Sequence, residues 1–133
     1  MPQKVLISEI IRDLIIADCT KRFGHVQDCG VFIIVFGSKK FFPHKIYVIA
    51  NCLVNTENNE QKWLIIEDSE ILDKISLLYE NMGENWDKML IVCNVKANKY
   101  STEFFNAYSL AKWCDLSDYF NILKYYNYKL KML

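Results

Sequence analysis

The chain has 133 residues, 52% of them hydrophobic and 14% aromatic, with 4 glycines and 2 prolines. That suits one domain over residues 1–133 with a real core, and it excludes a collagen-like or low-complexity disordered chain. Sixteen bases balance sixteen acids, but unevenly: residues 57–87 hold nine acids against two bases, net −7, and the rest of the chain carries +7, so a directional surface field is expected.

The N-terminal stretch reads as a helix over residues 4–22. Leu6, Ile7, Ile10, Ile11, Leu14 and Ile15 recur at helical spacing. Glu9, Arg12 and Asp13 interrupt it, so it is not expected to be a signal peptide. The longest apolar run, residues 31–36, falls well short of the roughly 20 residues of a spanning helix. A cytoplasmic protein without a membrane partner is the expectation. Gly24 follows the basic pair Lys21 and Arg22, a usual helix ending.

Strands follow. Residues 31–36 are β-branched and aromatic between Gly30 and Gly37, residues 45–54 make a second strand, and residues 62–66 a third. The links are too short for parallel crossovers, which predicts an antiparallel meander. A second helix is predicted over residues 69–82, capped by Asp68 or Ser69, with Ile71, Leu72, Ile75, Leu78, Tyr79 and Met82 as its buried stripe. Residues 88–95 and 99–105 read as a hairpin, and residues 117–133 as a last helix with Ser117 as N-cap. The fold class is α+β: an antiparallel sheet of about five strands, helices packed largely on one face, in the order α-βββ-α-ββ-α.

The cysteines at 19, 29, 52, 93 and 114 are odd in number and widely spaced, which points to reduced thiols. Cys19, His25, Cys29 and His44 include metal-capable types, but their spacing fits no ordinary zinc pattern, so no metal or other cofactor is expected. His25, His44 and Cys114 beside Asp115 lack any motif that would supply a catalytic partner, and no glycine-rich phosphate loop is present. No catalytic residue is assigned.

From the second helix to the C-terminus the chain resembles the YezG-like immunity proteins of bacteria, or a related contact-dependent growth inhibition immunity protein. The likeness is carried by Gly83 and Trp86, the strand Met89-Leu90-Ile91-Val92, Lys99 and Tyr100 after the turn, and Phe104, Phe105 and Tyr108 closing the next strand. The terminal run Lys124-Tyr125-Tyr126-Asn127-Tyr128-Lys129 completes it. The resemblance implies a cytoplasmic inhibitor of a toxin, commonly a nuclease, with no catalytic residues.

The acidic segment suits that role, because a nuclease holds a basic groove for phosphates and an inhibitor can present carboxylates to it. The expected partner is a cognate protein toxin with a nuclease domain. The expected partner-binding residues are Glu67, Asp68, Glu70, Asp73, Glu80, Glu84 and Asp87, with Trp63 and Trp86 as aromatic anchors. A second reading is a small nucleic-acid-associated protein gripping single strands with Lys39, Lys40 and Lys45 beside Phe41 and Phe42, and with Lys124, Lys129 and Lys131. A third is a small hydrolase using His25 or His44.

Overall fold

A computed structural model describes residues 2–36, 45–55, 57–81, 86, 88–105 and 119–133. The first helix, α1 (Pro2–Phe23), runs one or two residues beyond its predicted span at each end. It buries Ile7, Ile11, Ile15 and Cys19, a stripe repeating every fourth residue. Gly24 ends it with a φ of 79°, and its N–H donates to the Thr20 carbonyl at 2.7 Å. A left-handed residue just past the last turn is the glycine-favoured way to close a helix.

The strands are β1 (Asp28–Phe36), β2 (Lys45–Asn55), β3 (Glu60–Ile65), β4 (Lys88–Asn94) and β5 (Lys99–Phe105), with α2 (Ser69–Asn81) before β4 and α3 (Tyr119–Lys131) last. The order along the chain is the predicted α-βββ-α-ββ-α. All pairings are antiparallel, and the sheet reads β3-β2-β1-β4-β5. β1 is the central strand and begins three residues earlier than predicted. Asp28, Cys29 and Gly30 have little strand preference of their own, yet β2 and β4 pair with them from both sides. Asn59 and Asn98 take positive φ in the tight turns before β3 and β5, a conformation asparagine tolerates.

Alternation divides the sheet cleanly. Cys29, Val31 and Ile33 of β1, Val48, Ala50 and Cys52 of β2, and Met89, Ile91 and Cys93 of β4 join α1 and α2 in the larger core. Phe32 of β1 and Leu90 and Val92 of β4 point the other way and pack against Tyr126 of α3. Two of the three helices therefore share one face, and α3 takes the other. The Tyr126 ring lies flat against Gly30: a Cβ built there would come within 2.6 Å of Tyr126 Cδ1. Glycine in a central strand makes room for that ring.

Long-range polar contacts fasten the helices. The Tyr100 hydroxyl on β5 donates to Glu9 at 2.8 Å, and the Arg12 guanidinium sits 3.9 Å from the Tyr100 ring centre, tying α1 to the sheet. On the opposite face Tyr125 donates to Glu103, and Lys129 pairs with the same carboxylate. No helix among the described residues is long and apolar enough to cross a membrane.

Candidate functional site

The acidic segment begins where β3 ends. Glu67 and Asp68 are exposed. Asp68 Oδ1 accepts from the Glu70 N–H at 2.9 Å and from the Ile71 N–H at 3.2 Å, so Asp68 rather than Ser69 caps α2. The helix then buries Ile71, Ile75, Leu78 and Tyr79 against α1 and the sheet. That fixes its outer face. Glu70, Asp73, Leu77 and Glu80, at spacings of three, four and three, form one exposed stripe along it. Leu77 keeps 43% of its surface in solvent. A shallow groove of about 510 Å³ runs beside it, lined by Ser69, Glu70, Asp73, Lys74 and Leu77. Among the described residues no ion pair engages Glu67, Glu70, Asp73 or Glu80. Glu84 and Asp87 lie outside the described residues.

The two tryptophans expected as anchors part company. Trp63 on edge strand β3 is 43% exposed and, with Tyr47, Ile49, Leu64 and the half-exposed Ile65, lines an open groove of about 590 Å³. Trp63 pairs in register with Asn51 and Ile65 with Ile49. That parity places them on the sheet face opposite α2, so Trp63 and the α2 stripe do not form one continuous surface. Trp86 is a core residue, 1% exposed, and this corrects its expected role as an anchor. Its ring makes edge contacts with Tyr79 at 5.5 Å and Phe104 at 5.4 Å. The sequence shows an aromatic next to acids; only packing shows that α2 and β5 close over it.

Of the groups weighed for catalysis or nucleic-acid binding, His25 is exposed in the loop between α1 and β1. His44, Cys114, Phe41, Phe42, Lys39 and Lys40 lie outside the described residues, and Lys45 opens β2. Lys124 and Lys131 are exposed on α3, beside a Tyr128 that is also exposed, whereas Lys129 is held by Glu103.

The sequence did not show that three thiols meet. Cys19 from the last turns of α1, Cys29 from β1 and Cys52 from β2 bring their sulfur atoms within 4.8 Å of one another, all fully buried. Cys29 and Cys52 face each other across the β1–β2 ladder with Sγ atoms 3.6 Å apart. The Cys19 thiol is pulled down to about 4, first by hydrogen bonding to Cys29 and then to Cys52, with the Arg22 charge adding to the effect. Cys29 and Cys52 are pushed up, chiefly because each shares its hydrogen with Cys19. Cys93, opposite Cys29 on β4, is pushed up to about 12 by burial. Parity held a usable signal. Cys19 continues the every-fourth-residue stripe of α1, and Cys29 and Cys52 share the parity of Val31 and Ala50.

On the α3 face, Asp28 is buried and accepts from the Tyr126 hydroxyl. Burial raises its carboxyl against the lowering effects of Tyr126 and the Leu53 N–H. Tyr126 is pushed up by the same burial and by the hydrogen bond to Asp28. This pair anchors α3 to the sheet.

Compared with known protein families, curated proteins and solved structures, the chain matches none.

Proposed function

We propose that this chain is an immunity protein: it captures a basic protein toxin, a nuclease domain being the best fit, through the outer face of α2. One observation carries the proposal. The Glu70, Asp73, Leu77 and Glu80 stripe places an exposed apolar side chain among carboxylates that form no close ion pair among the described residues, with Lys74 at the groove edge. An apolar centre with a charged rim is the usual anatomy of a protein interface, and the carboxylates match a groove built for phosphates. Of the motif residues, Trp86, Met89, Ile91 and Phe104 belong to the core on which α2 rests, and Leu90 and Val92 to the cluster under α3.

The proposal expects a reading frame beside this chain's to end in a small toxin domain, and that domain is the binding partner used in the test. Reversing Glu70, Asp73 and Glu80 to lysine is expected to slow association by about tenfold or more at low salt, and the difference is expected to shrink as salt rises, since screening acts over about 8 Å at physiological ionic strength. Leu77→Ala is expected to speed dissociation instead. Circular dichroism checks that the variants fold. Unchanged association by the triple reversal, with binding lost on reversing Lys124 and Lys131, moves the interface to α3. RNA or DNA carried through purification, and lost in the lysine variants, replaces the immunity function with nucleic-acid binding.

A further inference from the structure

We propose that Cys19, Cys29 and Cys52 form a closed three-thiolate site for one soft, thiophilic d10 metal ion, Cu(I) being the ion it fits. The inference is independent of the partner surface on α2.

Three observations carry it. First, the thiols come from three separate elements and converge on one point. Cysteine used as a small core hydrophobe needs only aliphatic neighbours, and Cys93, buried on the same face, is that ordinary case, since it stands outside the cluster. Second, the spacing is right. Sulfurs bonded to one metal at about 2.3 Å lie about 3.8–4 Å apart. The Cys29–Cys52 separation is 3.6 Å and all three sulfurs lie within 4.8 Å, so side-chain adjustments of at most about 1 Å bring the set onto one ion. The backbone need not move, because β1 and β2 are locked in register there and α1 packs directly above them.

Third, the donor set selects the ion. Thiolates favour soft ions. No fourth His, Cys, Asp or Glu among the described residues completes the set. His25, the nearest histidine in sequence, is exposed in a loop, and Asp28 points to the other face, where it accepts from Tyr126. Structural zinc is four-coordinate almost without exception, and all three cysteines are 0% exposed, so bulk water is not at hand as a fourth ligand. Cu(I) is satisfied by three thiolates in a plane. Binding releases the thiol protons and ties the end of α1 to β1 and β2, so the ion is expected to stabilise the fold as well as be held by it. A site this enclosed loads while the chain folds.

The experiment refolds the reduced full chain with Cu(I) held by a competing chelator, and with Zn(II) in parallel. Expected are one Cu(I) per chain, a sulfur-to-copper charge-transfer band, a raised Tm, and an X-ray absorption signature of three sulfurs at about 2.3 Å. Removing a partner that only supports a ligand costs about 10–100-fold in affinity, so Cys52→Ala and Cys19→Ala should each lose about 100-fold or more. Cys93→Ala should bind as the parent does. If Cys19→Ala does not fold, Cys52→Ala and the absorption spectrum of the parent decide the matter. Failure of the folded parent to take up Cu(I), full affinity in Cys52→Ala, equal loss in Cys93→Ala, or a preference for Zn(II) with four ligands would each overturn the proposal.

Discussion

The two faces of the sheet are built differently. Under α1 and α2 the middle of strands β1, β2 and β4 is fully buried, in one continuous core that includes the thiol cluster. Under α3, among the described residues, Phe32, Leu90, Val92 and Tyr126 form a smaller buried cluster, and the β2–β3 half of that face carries the open groove with Trp63 and Ile65. The first face is closed by two helices whose stripes match it. On the second, among the described residues, α3 packs through Tyr126 and is fastened at its margin by Tyr125 and Lys129 to Glu103. Buried side chains are therefore concentrated on the first face, whereas Leu77 is exposed on the outer side of α2, Trp63 and Ile65 along the β3 edge, and Tyr128 on α3.

The largest effect is expected where the closed face is deepest. Ile75 of α2 is fully buried between α1 and the sheet. Ile75→Ala should cost about 2–5 kcal/mol by urea denaturation. The equivalent truncation on the open face, Ile65→Ala, should stay below about 1 kcal/mol, because that side chain is already half in water. Equal costs would break the contrast between the faces.

A middle effect is expected where the α3 tyrosine Tyr126 packs on Gly30. Gly30→Ala puts a Cβ into the Tyr126 ring and should cost about 1–3 kcal/mol. Combined with Tyr126→Ala the cost of the added methyl should largely vanish, so a double-mutant cycle should show strong coupling. Additive losses would mean that the ring does not press on Gly30.

The smallest effect is a pH dependence. The Asp28 carboxyl is held above its ordinary value of 3.8, chiefly by burial. The folded chain thus binds this proton more tightly than the unfolded chain does. As pH rises from the ordinary value through the raised one, the unfolded state loses its proton first, and this group's contribution to stability declines. Asp28→Asn keeps an oxygen for the Tyr126 hydroxyl and removes the decline. Urea midpoints at pH 4 and pH 7 should therefore fall less, or rise more, in the variant, by no more than about 1.4 kcal/mol per pH unit. A variant that loses more at pH 7 than at pH 4 would show that the folded state favours the carboxylate.

Much of the architecture was legible because it is local. Helical spacing marked α1 and α2, β-branched runs marked the strands, and short links forced antiparallel neighbours within β1-β2-β3 and β4-β5. The acidic stripe of α2 was legible too, since its buried side is written in Ile71, Ile75 and Leu78 and its outer side follows by elimination. Trp86 was misplaced because an aromatic beside acids carries the same sequence signal whether it faces water or the core.

The sequence by itself determined the element order, the reach of each helix and strand to within a few residues, and the charge carried by α2, because each depends on neighbours along the chain. The tertiary structure alone decided that β4 pairs with β1 and makes it the central strand, that α3 crosses to the other face over Gly30, and that Cys19, Cys29 and Cys52 meet. Those outcomes depend on register and on which surfaces bury one another. Residues far apart along the chain settle them together, and no local pattern encodes that choice.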